Sequence, residues 1–397
     1  MKTATIVIVG AGKIGRGFLA HLIYESGHPF TFIEHYDEIV QQLQVRRRYR
    51  VEIVGNPDRS ATITDFDIVG WRDEGAAQAC LDADTIFTAV GGGRVAALGP
   101  QLAPLLATRW RHRPEAPLNI VTCENWVHPA TLLQNAILAH LPTALREHAH
   151  ELLGVADATV LRSCMEPTPE QAAEDPWTVQ AQDYWELQID GDALKAPLPA
   201  VPGLQPVPQF QRALERKLYT YNAASATMSF LGTLVGYRYL HEAAHDQRIL
   251  AITRAVLREA GTAVCRRYGY TEEAQRNFAE SALAKYRNLQ IPDTLERNVR
   301  DPLRKLGRSD RLVGAACLCL DVGVIPSALA LAIAAGLRYQ EPTDPSARAL
   351  QEQLAEQGID HVLATVCGLD PQGDLAQMIK RRGVDVDRFV RGEVVEG

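Results

Sequence analysis

The sequence lacks an uninterrupted apolar run of membrane-spanning length. Its longest, Leu312 to Leu337, is broken by Asp321, Gly323 and Pro326, so no transmembrane helix and no membrane partner are expected. Excess positive charge is also missing. The chain carries 41 Lys and Arg against 48 Asp and Glu, a net charge of −7, which argues against general affinity for nucleic acid. Its seven cysteines, an odd number without paired spacing, suit reduced thiols in a cytoplasm better than a disulfide framework. There is no internal repeat and no low-complexity tail, and no signal peptide is expected ahead of the strand-like run Ala4 to Val9. What is present is an ordinary globular composition, 46% hydrophobic and 22% charged over 397 residues. That length is enough for two domains and a large core.

The run Thr5 to Val9 reads as a strand buried on both faces. It opens into Gly10-Ala11-Gly12-Lys13-Ile14-Gly15-Arg16-Gly17, a G-x-G-x-x-G pattern followed by a helical segment to about Ser26. The glycines permit a tight turn, close approach of backbone to a pyrophosphate and close helix packing, and the helix N-terminus favours the phosphates. A second strand, Phe30 to Ile33, ends at Glu34. An acid there accepts from ribose hydroxyls and repels a 2′-phosphate, so NAD is expected over NADP. The basic run Arg46-Arg47-Arg48-Tyr49-Arg50 reads as a solvated helix end before a strand at 50–54. Strands at 85–90 and 118–122 end at Gly91-Gly92-Gly93 and Cys123-Glu124-Asn125. In open parallel sheets ligands bind at such strand ends. The residues expected to hold NAD are Gly10, Gly12, Lys13, Ile14, Gly15, Glu34, Ala89, Val90 and Gly91. Asn125 either projects an amide toward the nicotinamide or caps the following helix.

Pro197, Pro199, Pro202, Pro206 and Pro208 mark a linker. Beyond it, helices are expected at about 209–236, 241–268, 272–288, 310–320, 326–337, 345–357 and 372–382, with Gly269 and Gly383 at C-termini. The expected fold class is α/β plus α: a Rossmann-type doubly wound domain over 1–196, then a mainly helical domain over 197–397. Within the helical half, Arg216-Lys217-Leu218-Tyr219-Thr220-Tyr221-Asn222-Ala223-Ala224-Ser225 puts an amine, an amide and a hydroxyl on an otherwise apolar segment. At about 100° per residue, Lys217, Ser225 and Asn222 share one arc of a helix. A desolvated Lys works as a base near neutral pH. His241-Glu242-Ala243-Ala244-His245 fits H-E-x-x-H, but no G-x-x-H continuation with a third ligand follows it. No metal is expected.

The ordered pieces GAGKIGRGF, TAVG, CEN, DPWTVQAQDYWELQID, RKLYTYN, HEAAHD and RDPLRKLGRSDRL span nearly the whole chain. Together they resemble the polyol-specific long-chain dehydrogenase family, in particular its mannitol-1-phosphate 5-dehydrogenase branch. The resemblance implies an NAD-dependent oxidoreductase that interconverts a polyol, such as a hexitol phosphate, and its keto sugar. It implies Lys217 as general base, with Asn125 and Asn222 as donors to the developing alkoxide. The family motif continues to a His, where this sequence has Ser225. A Ser hydrogen-bonds but is shorter and does not titrate near neutral pH. Arg304, Lys305 and Arg311 are the expected holders of a substrate phosphate; alternatively Asp301 and Asp310 neutralise them in a salt-bridged loop. The competing functions are a dehydrogenase of an unphosphorylated polyol or sugar acid, and a catalytically weak NAD-binding protein. A cytoplasmic monomer with a small-molecule polyol or sugar phosphate as its partner is expected.

Overall fold

The computed structural model describes residues 4–395 and divides into two compact units, 1–211 and 212–397. The strands are β1 Ile6–Val9, β2 Phe30–Glu34, β3 Tyr49–Ile53, β4 Ala61–Ile63, β5 Phe66–Gly70 and β6 Thr85–Thr88. They continue with β7 Leu118–Thr122, β8 Leu153–Thr159, β9 Cys164–Met165, β10 Val179–Ala181, β11 Leu187–Asp190 and β12 Leu204–Val207. All lie in the first unit.

Eight of them form one sheet in the order β12-β11-β8-β7-β6-β1-β2-β5. The six from β8 to β5 are parallel, and β11 joins β8 antiparallel. Strand β1 shows why a continuous apolar run suits this place. Ile6 and Ile8 enter one hydrophobic cluster and Val7 and Val9 enter another, so alternate side chains fill cores on both faces. The chain leaves β1 toward β2 on one side and returns in β6 on the other. That reversal is where an open α/β sheet offers its binding crevice.

Of a smaller sheet, β4-β3-β10-β9, only β3 was expected from the sequence, at 50–54. The proline stretch also differs from expectation, because Leu204–Val207 is a strand rather than linker. It sits at the edge of the large sheet, where Pro206 is tolerated because no further strand needs its missing N–H.

Among its described residues, the second unit is helical. The helix Ser327–Leu337 is buried almost all round and packs against Ala223–Leu234 and Asp374–Val390, as expected of a helix with no polar face. The helix after Gly373 runs through Gly383 to Val390. A mid-helix Gly costs about 1 kcal/mol, and the buried Val386 and Phe389 beyond it offset that. Gly269, at φ +77°, does end its helix. Among the described residues no helix is long and apolar enough to cross a membrane.

Candidate active site

The glycine turn follows β1. Gly10 has φ +100°, which only glycine adopts without strain, and a Cβ there would lie 2.7 Å from the Ala89 carbonyl oxygen. A Cβ on Gly15 would lie 2.0 Å from the Gly10 carbonyl oxygen. Gly12 by contrast is exposed, with open space where its side chain would be, so backbone there is accessible to a phosphate. The helix that follows spans residues 13–24 and is π-wound over Gly15–Ala20.

Two charged side chains clamp the Ala11 peptide. Glu34 Oε2 accepts from the Ala11 N–H at 2.7 Å, and the Arg16 Nε–H donates to the Ala11 carbonyl at 2.8 Å. The other Glu34 oxygen accepts from the His35 and Tyr36 amides. A carboxylate has about four lone-pair directions, so Glu34 retains capacity for ribose hydroxyls. Arg16 is buried, donates to the Trp177 carbonyl at 2.7 Å and lies over the Trp177 and Tyr49 rings. Lys13 pairs with Glu166 at 2.6 Å on the surface. In the basic run, Arg46 pairs with Asp175, Arg47 with Asp67 and Arg50 with Glu52, which ties most of its charge to neighbouring acids.

The turn at Ala89, Val90 and Gly91 is held by Glu124. One Glu124 oxygen accepts from Thr88 Oγ1 at 2.8 Å and the other from the Val90 N–H at 3.0 Å. Burial pushes the Glu124 carboxyl upward in pKa, and these two donors oppose the shift. The link ties the end of β6 to the residue preceding Asn125. Asn125 is exposed, and the N-cap of the next helix, Pro129–His140, is His128. Asn125 is therefore not that helix's cap.

In the second unit, Lys217 ends the helix Phe210–Lys217 and the segment Leu218–Asn222 winds as a π turn. The Ala223 N–H reaches back to the Leu218 carbonyl, five residues away. Such insertions recur at functional sites. The extra residue alters the angular placement assumed for a regular α-helix, although Lys217, Asn222 and Ser225 remain on one continuous segment.

Lys217 is 7% exposed. Burial, reinforced by Lys285 and Arg311, brings its ammonium from the ordinary 10.5 down to about 7. Ser225 is buried and its hydroxyl donates to the Asn222 carbonyl at 3.2 Å. The helix Glu272–Arg287 lies along this segment. Arg216 donates to Gln275 Oε1 at 2.8 Å and to the Ala274 carbonyl at 2.7 Å. Gln275 in turn donates to Thr220 Oγ1 at 2.9 Å, and the Tyr286 hydroxyl to the Tyr221 carbonyl at 2.9 Å.

Arg304, Lys305 and Arg311 come together, but in company. Arg304 bridges Asp301 at 2.8 Å and Asp310 at 3.2 Å, and Arg311 holds the other Asp310 oxygen at 2.7 Å. Lys305 is 5% exposed and donates to the Asn298 carbonyl at 2.7 Å. Burial, with Arg311 and Arg304, brings its ammonium down to about 7. Three cationic side chains thus share two carboxylates, leaving a net charge of at most one.

The H-E-x-x-H segment has its own structural use. Glu242 Oε2 accepts from the Arg238 and Tyr239 amides, and the His245 Nδ1 lies 2.7 Å from the His241 carbonyl. Among the described residues no group of three or more His, Cys, Asp or Glu is placed to hold a metal ion.

Sequence reasoning missed Arg16, Glu124, Gln275, Lys285 and Tyr286. Arg16 and Glu124 lie inside motifs already singled out, as charged residues at the edges of apolar strands and turns. Nothing local distinguishes Gln275, Lys285 or Tyr286, whose partners lie some 55–68 residues away in sequence.

A family model described as the mannitol dehydrogenase Rossmann domain matches residues 4–203, and one described as the mannitol dehydrogenase C-terminal domain matches residues 210–382. Among solved structures, the ternary complex of Pseudomonas fluorescens mannitol 2-dehydrogenase with NAD and D-mannitol is similar, at 17% identity and TM-score 0.77. That match covers 98% of this chain and 94% of the other. A substrate-free D-sorbitol dehydrogenase is similar at 17% identity and TM-score 0.79, covering 99% and 95%. Octopine dehydrogenase with NADH and agmatine matches over 100% of both chains at 12% identity and TM-score 0.55.

Proposed function

This chain belongs to the mannitol dehydrogenase family, and from that premise we propose that it is an NAD-dependent dehydrogenase of a polyol CH–OH, with Lys217 as general base. The observation that carries the reading is the state of Lys217. A buried amine whose pKa is about 7 is neutral often enough at physiological pH to take a hydroxyl proton. Asn222 lies five residues on, at the end of the same π turn.

NAD, when bound, supplies the hydride acceptor. The open backbone at Gly12 and the helix start after it suit a pyrophosphate, and Glu34 suits the ribose hydroxyls. Ala89, Val90 and Gly91, on a turn fixed by Glu124, would line the cofactor, joined by Lys13 and Ile14 at the helix start. Lys217 Nζ takes the proton from the substrate hydroxyl, and the Asn125 and Asn222 amides donate to the oxygen as negative charge develops. Donors fixed in place before the reaction are worth a few kcal/mol each. Once protonated, Lys217 sits near Lys285 and Arg311, which favours passing the proton on to solvent. In the reverse direction the same ammonium protonates a ketose carbonyl oxygen.

As substrate we propose a hexitol phosphate such as mannitol 1-phosphate, its phosphate met by Lys305, Arg304 and Arg311. A specific observation favours a second reading, an unphosphorylated hexitol: Asp301 and Asp310 already occupy Arg304 and Arg311. NAD-linked oxidation compared over mannitol, sorbitol and their phosphates separates the two. A kcat/KM for mannitol equal to or above that for mannitol 1-phosphate sinks the phosphate reading. Tight NAD binding with no turnover on any of them would leave a binding protein instead.

A further inference from the structure

We infer that Tyr286 is a positioning residue for the lysine–asparagine turn, acting through the Tyr221 carbonyl on one side of Asn222 while Ser225 holds the other. The inference rests on the reading of Lys217 as base.

The turn needs an external hold. A π-wound stretch has poorer hydrogen bonding than regular α-helix and persists where its surroundings fix it. Here the helix Glu272–Arg287 grips the segment at three places: Arg216, Thr220 and the carbonyl of Tyr221. Two of these grips belong to Gln275 and Ala274 and act before or within the turn. The third belongs to Tyr286, and it falls on the peptide that joins Tyr221 to Asn222.

The far side of Asn222 has a hold of its own. The Ser225 hydroxyl donates to the Asn222 carbonyl. Tyr286 and Ser225 therefore meet the backbone on either side of Asn222, each through its own carbonyl. The Tyr286 ring is buried and packs edge-on against Tyr221, which itself packs against Phe278. Burial pushes the phenol pKa up, so it stays a neutral donor at working pH.

The family motif places His at the Ser225 position. Here a Ser hydroxyl meets the backbone after Asn222, and Tyr286 meets the backbone before it from a different helix. On this account the pair Ser225 and Tyr286 holds Asn222 and, through the turn, Lys217.

The test is Tyr286→Phe, which keeps the ring and removes the hydroxyl, assayed on the polyol turned over in the substrate panel. The expected result is a fall in kcat of roughly tenfold with KM for NAD unchanged. The acid limb of the pH–rate profile should move to higher pH, because a looser turn admits water to Lys217. Ser225→Ala, which frees the Asn222 carbonyl, should move the limb the same way. Wild-type kcat and pH profile in Tyr286→Phe overturn the inference. If Tyr286→Phe does not fold, Ser225→Ala decides: an unmoved limb overturns the inference. Lys217→Ala assayed alongside separates the two levels, since full activity there rejects the base assignment rather than the role of Tyr286.

Discussion

Replacing Lys217 by Met tests the base assignment through stability as well as turnover. The folded pKa of Lys217 is about 7, against about 10.4 for an unfolded lysine. At 1.36 kcal/mol per pKa unit, that gap is worth roughly 5 kcal/mol. Below pH 7 both states hold the proton, and the folded state bears the full cost of a buried ammonium near Lys285 and Arg311. Between about 7 and 10.4 the unfolded chain holds more protons than the folded one, so stability rises with pH. Above that range both are neutral and the cost is gone. Met fills similar space and does not titrate. The variant is therefore expected to be more stable than the parent at about pH 6, by a few kcal/mol. By about pH 9 the advantage shrinks by roughly 3 kcal/mol. Urea midpoints at the two pH values read this directly, and turnover should be lost. An advantage that is equal or larger at pH 9 refutes the electrostatic argument. Retained turnover refutes the catalytic one.

Two further variants probe the halves separately. Lys285→Met removes a cation beside Lys217. The acid limb of kcat/KM, expected near pH 7 in the parent, should rise by up to about one pH unit; a fixed or lowered limb rejects the coupling. Gly15→Ala places a methyl group 2.0 Å from the Gly10 carbonyl oxygen. The turn must shift at a cost of about 1–3 kcal/mol, so NADH affinity measured by fluorescence titration should fall at least about tenfold. Unchanged affinity would mean that the glycine turn does not hold the cofactor.

The parallel sheet was legible because burial on both faces favours apolar runs: β1 is one throughout, and β2, β6 and β7 come close, with Thr, Asn or a terminal Glu among apolar residues. The glycine spacing and Glu34 were legible because backbone geometry there admits few residue types. The short strands of the second sheet were not, since β4, β9 and β10 hold only two or three residues each and show no period. The helix ending at Val390 was cut short at Gly383 because local propensity was weighed without Val386 and Phe389 behind it. At the candidate site, Lys217 and Asn222 announced themselves as polar groups on an apolar segment. The π turn between them did not, because no residue type specifies one. Nor did the partners of Arg304 and Arg311: a list of charges shows that Asp301 and Asp310 are nearby, not which oxygen meets which guanidinium.

The electrostatics of the second unit separate two uses of positive charge. Around Arg304 and Arg311 carboxylates lie within hydrogen-bonding distance, and the charge is neutralised locally. Around Lys217, burial and two further cations, Lys285 and Arg311, all act in the same direction and disfavour the charged form. That balance suits a residue whose useful state is the neutral amine, as the proposed base requires. The helix Glu272–Arg287 meanwhile grips the same segment at Arg216, Thr220 and the Tyr221 carbonyl. At Ser225 the hydroxyl meets the Asn222 carbonyl directly, a hydrogen bond that needs no titrating group.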